Sequence, residues 1–288
     1  MSVEFMTAST RETDFSETAL STAALAEQMI LRRSEKGWRR AVHDSLLITW
    51  RNLLRLKRNP IVIVAIAIFP MVFLLGFWVV GQRLMAAQGI NYIQYLIPII
   101  NLQTLFFAGF GSAVMLAKDI ETGMMERCRA MPISRVAVIA GLVMAYMVRG
   151  LLATIILLII SHALGFRFYG GPIALIAYFL LVIVFTATCI TGYSVLAMKL
   201  RNATLVDAVA IIPYTPLLLL SNGFSPSENF PSWLQPLVRY QPVSITCDAM
   251  RSLVSGDIAV TSLLASLAWL FGLLLLLGVW SVRLYRRL

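Results

Sequence analysis

The sequence predicts an all-α integral membrane protein of six transmembrane helices, with an amino-terminal interfacial helix and both termini in the cytosol. Three observations carry this fold class. The 288 residues are 59 % apolar and 13 % charged, whereas soluble domains hold about 45–50 % apolar and about 25 % charged residues. The apolar residues gather into six runs, 61–81, 92–117, 136–164, 173–198, 204–221 and 258–282, near the roughly 20 residues that cross about 30 Å of hydrocarbon. The basic residues are distributed unevenly between the connections, which sets the orientation.

Residues 1–37 are rich in Ser, Thr, Ala and Glu and contain no apolar run of signal-peptide length, so a retained, disordered cytosolic tail is expected there. In segment 38–59 the pattern becomes amphipathic. Val42, Leu46, Trp50, Leu53 and Leu54 fall on one side at helical spacing, and Arg40, Asp44, Arg51, Arg55 and Arg58 on the other. Such a helix lies in the membrane interface, with its cationic side toward anionic headgroups.

With the amino end in the cytosol, 10 Lys and Arg precede the first run, 4 fall at 118–135, 2 at 199–203 and 3 in the carboxyl tail. The outer connections hold only Arg83, Arg167, Arg239 and Arg251, and Arg149 lies inside the third run. Basic residues beside apolar runs are topology signals and form no patch for nucleic acid. The two longest connections are 118–135, facing the cytosol, and 222–257, facing outward as a re-entrant segment. The first reads Lys-Asp-Ile-Glu-Thr-Gly-Met-Met-Glu-Arg onward, and its charges and methionines suit a short helix that docks on a soluble partner. The second carries four prolines with Phe224, Phe230, Trp233 and Tyr240, a composition for short helices at headgroup level, either as a lid or as an anchor.

Within the runs, polar residues are few. Asn101 and Gln103, with Thr104, interrupt the second run and are expected to join helices by hydrogen bonds or to contact substrate. Arg149 near mid-bilayer requires a partner or a wet cavity, and an estimate of depths disfavours pairing with Asp207. Asp207 is the one carboxylate inside a run, about a turn from the cytosolic end of the fifth. Pro213-Tyr214-Thr215-Pro216 predicts a bend in that run which lines the pathway. Three cysteines without CxxC spacing and two histidines point to packing roles and to no metal centre. No Gly-Lys pair occurs, so a phosphate-cradling P-loop is excluded.

Three passages resemble a known family. Glu121-x-Gly123 leading to Arg127, with Met131-Pro132-Ile133-Ser134, is similar to the cytosolic coupling segment of ABC type-2 permeases. Gly165-Phe166-Arg167-Phe168 is similar to their daunorubicin-resistance branch of actinobacteria. The outer segment of that branch resembles Phe230-Pro231-x-Trp233-Leu234-Gln235-Pro236, Gln241-Pro242-Val243-Ser244 and Ala249-Met250-Arg251. The resemblance covers about residues 38–288.

The resemblance implies the transmembrane permease subunit of an ATP-driven exporter of amphiphilic drugs, lipids or glycolipids in the bacterial plasma membrane. It implies a second permease subunit, identical or different, and separate ATPase subunits that carry ATP and Mg, leaving this chain without catalytic residue, metal or cofactor. Asp119, Glu121, Gly123, Met124, Glu126, Arg127 and Pro132 are then the expected coupling residues. Asn101, Gln103, Arg149, Asp207 and Tyr214 are the pathway candidates, and Trp233, Tyr240 and Arg251 belong to the outer segment. The alternative is an ion-coupled secondary transporter of a hydrophobic substrate, disfavoured by a single marginal carboxylate and by the lack of an inverted repeat.

Overall fold

The computed structural model describes residues 60–86, 89, 91–124 and 135–285, together with 43, 45–47, 49–51, 53, 54 and 58. The expected tail 1–37 and much of segment 38–59 therefore lie outside the described residues. All regular structure among the described residues is helical. In chain order these are α1 (Pro60–Ala86), α2 (Tyr92–Glu121), α3 (Arg135–Ala163), α4 (Gly171–Leu200), α5 (Ala203–Val209) and α6 (Ile211–Leu219). A single 3-10 turn (Ser227–Asn229) leads into α7 (Gln235–Tyr240), α8 (Pro242–Ser255) and α9 (Val260–Tyr285).

Four described helices are long and apolar enough to cross a membrane: α2, the Val143–Ala163 part of α3, α4, and Val260–Leu284 of α9. Their burial sorts them into layers. α2 and α4 are 72 % and 61 % buried over their most apolar windows, against 28 % for α3 and 11 % for α9. The central pair is α2 and α4, with α1 and α3 packed on α2 and α9 on α4. On α9, Leu264, Trp269, Phe271, Leu275, Leu276 and Val279 are exposed. A long helix with so much apolar surface facing out has hydrocarbon as its solvent.

Glycine and asparagine set the central contact. A Cβ at Gly109 would stand 2.8 Å from the Tyr193 ring and 3.1 Å from the Cys189 backbone, so only glycine lets α2 and α4 approach this closely. About two turns away, Asn101 donates from Nδ2 to the Tyr178 hydroxyl of α4 at 2.8 Å and accepts from the Thr154 hydroxyl of α3 at 2.8 Å. A single fully buried amide thus ties three helices. In hydrocarbon each of those groups would otherwise be left without a partner.

Two helix boundaries differ from the bounds of the apolar runs. Helix α2 runs past the apolar run 92–117, through Lys118 and Asp119 to Glu121. Charged residues end an apolar run but not a helix, because they project beyond the hydrocarbon into the interface. The apolar run 204–221 forms two helices of 7 and 9 residues meeting at Ala210. Pro213 cannot donate to the carbonyl at position 209 and its ring crowds that carbonyl, which breaks the ladder there. The Tyr193 hydroxyl donates to the Ala210 carbonyl at 3.1 Å and so supplies the break with an outside partner.

Replacing Asn101 by Ala strips the Tyr178 and Thr154 hydroxyls of their shared partner. The expected cost is about 1–2 kcal/mol, to be read as a lower unfolding temperature in nanodiscs than that of the native chain. An unchanged transition would show that the three-helix junction contributes nothing to stability.

Candidate functional site

At the end of the bundle where α2 closes, four segments converge. Arg51, from the helical residues between His43 and Leu54, lies 3.4 Å from the Asp119 carboxylate of α2. The Thr49 hydroxyl donates to the Gly141 carbonyl of α3 at 3.1 Å. Ser45 and Thr49 are buried while Leu46, Leu47 and Trp50 are exposed, so this stretch turns its small polar residues inward and its apolar residues away from the protein. That polarity is the one an interfacial helix requires.

Glu121 closes the other half of the junction. Its Oε1 accepts a hydrogen bond from the backbone N–H of Ala203 at 2.8 Å, while Asn202 Oδ1 accepts from Leu205 N–H at 2.9 Å. The first N–H groups of a helix have no partner inside it, and here two side chains satisfy two of them at the start of α5. Arg201 reaches this turn through a left-handed backbone, φ 54°. Gly123, φ 66°, makes the corresponding turn out of α2, in the region that favours glycine. Met124 is half-buried. Glu126, Arg127 and Pro132 lie outside the described residues.

Between α2, α4 and the α5–α6 break runs a small half-open groove of about 40 Å³, lined by Phe106, Phe107, Phe110, Tyr193, Asp207, Ala210, Ile211 and Tyr214. The Tyr214 ring stands 5.7 Å from Phe106 and 5.1 Å from Phe107, centroid to centroid. Asp207 is exposed at its mouth. Gln103 is 2 % exposed, and its side-chain amide stands beside the Tyr214 hydroxyl. Arg149 lies on another side of α2. Its Nη1 is 3.2 Å from where a Cβ on Gly111 would be, and its guanidinium is 5.8 Å from the Tyr146 ring centroid. No ion pair joins Arg149 to Asp207 among the described residues.

The opposite end is organised by Arg251 of α8. Its Nη2 donates to the Asn222 and Gly223 carbonyls at 3.0 and 2.7 Å, its Nε to the Tyr95 carbonyl at 3.2 Å, and its Nη1 to Asp248 Oδ1 at 3.2 Å. The guanidinium also covers the Tyr95 ring, 3.5 Å from its centroid. Asn222 Nδ2 donates to Asp248 Oδ2 at 2.6 Å, and the Tyr95 hydroxyl donates to the Asn222 carbonyl, also at 2.6 Å. Burial raises the Asp248 carboxyl above the ordinary carboxylate range, against the lowering effect of Arg251 and Asn222. Gly223 permits the close seating of this loop, since a Cβ there would be 2.3 Å from Ile99.

Further out, Trp233 and Tyr240 are 77 % and 73 % exposed. Arg239 bonds Glu228 at 3.0 Å. The Glu228 carboxyl is held below its usual range by its own backbone N–H and by the Ser227 hydroxyl, ahead of Arg239. Tyr95, Asn222 and Asp248 belong to the polar knot and are not among the residues singled out in the sequence. Their mutual separations in the chain leave no local signal to find them by.

The comparisons with known proteins agree with this architecture. A family model described as ABC-2 type transporter matches residues 44–254. The daunorubicin resistance ABC transporter permease protein DrrB1 of Streptomyces coeruleorubidus is 27 % identical over 246 residues, 85 % of this chain and 87 % of that protein. The probable doxorubicin resistance ABC transporter permease protein DrrC of Mycobacterium tuberculosis is 24 % identical over 255 residues, covering 88 % and 92 %. The doxorubicin resistance permease DrrB of the same species is 29 % identical over 230 residues, covering 74 % and 78 %.

Two substitutions test the two ends. Glu121→Ala removes an exposed cap and should lower stability by about 0.5–1 kcal/mol, while Glu121→Gln, which keeps an acceptor oxygen, should lie between the two in thermal unfolding. Arg251→Ala removes the hydrogen bonds that the guanidinium gives to three carbonyls and to Asp248, and a loss of about 3 kcal/mol is expected. A melting temperature within a degree or so of the native chain for Arg251→Ala would contradict the role of the polar knot.

Proposed function

This chain belongs to the ABC-2 type transporter family, and from that premise we propose that it is the membrane-spanning permease subunit of an ATP-driven exporter of amphiphilic drugs or lipids. In this proposal it lies in the bacterial plasma membrane with six spans and both termini in the cytosol. It pairs with a second permease subunit, identical or different, and separate ATPase subunits supply ATP hydrolysis. The relatives are named as drug-resistance permeases, which supports export of amphiphiles.

The observation that carries the proposal is the junction at Glu121. Segment 118–135, offered as the docking site for the ATPase, starts on the last turn of α2, and that turn bonds directly to the first residue of α5. A push on the segment is therefore felt by the short helix that forms one wall of the aromatic groove. Such a connection lets nucleotide-driven movement change the groove without any chemistry on this chain. Inward and outward states need only differ in how they bind substrate and ATPase.

Reconstitution decides the matter. Inside-out vesicles holding this chain together with its ATPase subunits should accumulate a fluorescent amphiphile only when ATP is supplied. Vesicles holding the chain alone should not, with or without a proton gradient. Uphill transport by the isolated chain on a proton gradient would replace this proposal with an ion-coupled transporter.

A further inference from the structure

We infer that Arg149 binds the phosphate group of a membrane lipid, in a notch between α2 and α3 that Gly111 leaves open. The lipid belongs to the leaflet that meets the Asp119–Glu121 end of the bundle. The inference goes beyond the permease proposal, and its test needs neither ATPase nor substrate.

The burial of α2 places the site. Residues 96–106 are buried without interruption, whereas Phe107, Phe110, Gly111, Val114 and Met115 are half-buried and Lys118 is exposed. Their spacing of three and four puts them on one side of the helix, so α2 is uncovered along a stripe in the half nearer to Glu121. Arg149 flanks this stripe, with Nη1 3.2 Å from the position that a Cβ on Gly111 would take. The guanidinium lies over the Tyr146 ring, whose hydroxyl donates to the Gly111 carbonyl. Among the described residues no hydrogen bond or ion pair engages Arg149, and no residue of the stripe is acidic. An arginine held within hydrocarbon needs a counter-charge or water, and phosphate is the anion that the bilayer itself offers.

Depth and direction bring a headgroup to this place. Gly111 is six residues before Ala117, where the apolar run ends, about 9 Å along the helix. Side chains lean toward the amino end of their own helix, and the amino end of α3 lies beside the interfacial stretch, since the Gly141 carbonyl accepts from Thr49. That stretch turns Leu46, Leu47 and Trp50 outward, which marks the headgroup level. Arg149 therefore leans toward the headgroups, and an arginine at this depth draws them and water inward by thinning the bilayer locally. Its planar fork of N–H donors matches two phosphate oxygens. Lys118, about two turns farther out on the same stripe, adds a second positive charge where the headgroup enters. On α3, Leu152 is exposed one turn beyond Arg149, so acyl chains reach the same notch.

Full-length protein in detergent micelles is titrated with dioleoylphosphatidic acid and with dioleoylglycerol, which has the same chains and no phosphate, and bound lipid is counted by native mass spectrometry. The phosphatidic acid should saturate a site that dioleoylglycerol fills about tenfold more weakly or worse. Arg149→Gln should weaken phosphatidic acid binding about fivefold to tenfold and Lys118→Gln about twofold, while Lys199→Gln, at the exposed end of α4, leaves it unchanged. Equal binding of dioleoylglycerol, or unchanged affinity in Arg149→Gln, overturns the proposal. Inorganic phosphate in about tenfold excess should not displace the lipid; displacement would assign the site to the free ion and remove the lipid. Loss of a dimer in Arg149→Gln with lipid binding intact would instead assign the arginine to a carboxylate of a second copy. Should Arg149→Gln fail to fold, the native chain decides, exposed to a phospholipid that carries a photoreactive group beside its phosphate. Labelling within 107–118 or 144–152 is expected, and labelling confined to other segments overturns the proposal.

Discussion

The close approach of α2 to α4 at Gly109 is the constraint from which the other contacts follow. With no side chain between the helices, the Tyr193 ring lies across α2, and its hydroxyl is carried to the Ala210 carbonyl at the break between α5 and α6. The same spacing brings Asn101 within bonding distance of Tyr178. A larger residue at Gly109 would push α4 outward, and the break in the fifth segment would lose the hydroxyl that satisfies it. The central pair thus fixes both the width of the aromatic groove and the position of its movable wall.

α2 also explains why charge is confined to the ends. Its 30 residues reach about 45 Å at about 1.5 Å per residue, well beyond about 30 Å of hydrocarbon. Asp119 and Glu121 on its last turn, and Tyr95 near its first, therefore stand where ions are partly hydrated and ionic contacts cost less desolvation. Arg51, the α5 backbone and Arg251 gather at those two levels. Arg149 is the exception, placed against a glycine and a tyrosine ring, where the missing Cβ of Gly111 leaves space for its guanidinium.

The helices were legible because hydrocarbon imposes a crude length rule on apolar runs. The ends of helices were not, because Lys118 and Asp119 stop a hydropathy pattern without stopping hydrogen bonding. Pro213 announces a bend, yet the ladder breaks at Ala210, three residues earlier, since proline's defect falls on the preceding turn. Asn101 is recognisable as a polar interruption, but nothing local names Thr154 and Tyr178 as its partners, 53 and 77 residues away. Glu121 stands out within a docking segment for its charge, while its bond to Ala203 depends on a turn 82 residues later. The Arg251 knot was hard to read for the same reason: three of the four groups its guanidinium bonds are backbone carbonyls, which carry no residue identity.

Most hydroxyls inside the bundle bond within their own helix. Thr104, Thr186, Thr191 and Ser194 each donate to the carbonyl four residues before them, which satisfies the hydroxyl without linking one helix to another. Much of the contact between those helices is therefore dispersion, which re-forms after a shift. Polar ties between elements fall at the Asn101 junction, the Arg251 knot and the Asp119–Glu121 end, with single bonds from Ser266 of α9 to Thr246 of α8 and from Tyr146 of α3 to Gly111 of α2. Of these, the Arg251 knot has at least six hydrogen bonds, whereas α5 is held at its start by one exposed bond from Glu121 and at its finish by one from Tyr193. By polar bonds α5 is thus more lightly fastened than the Arg251 knot, although Val206 is fully buried and α5 packs on α2 and α4. It is also the segment that carries Asp207.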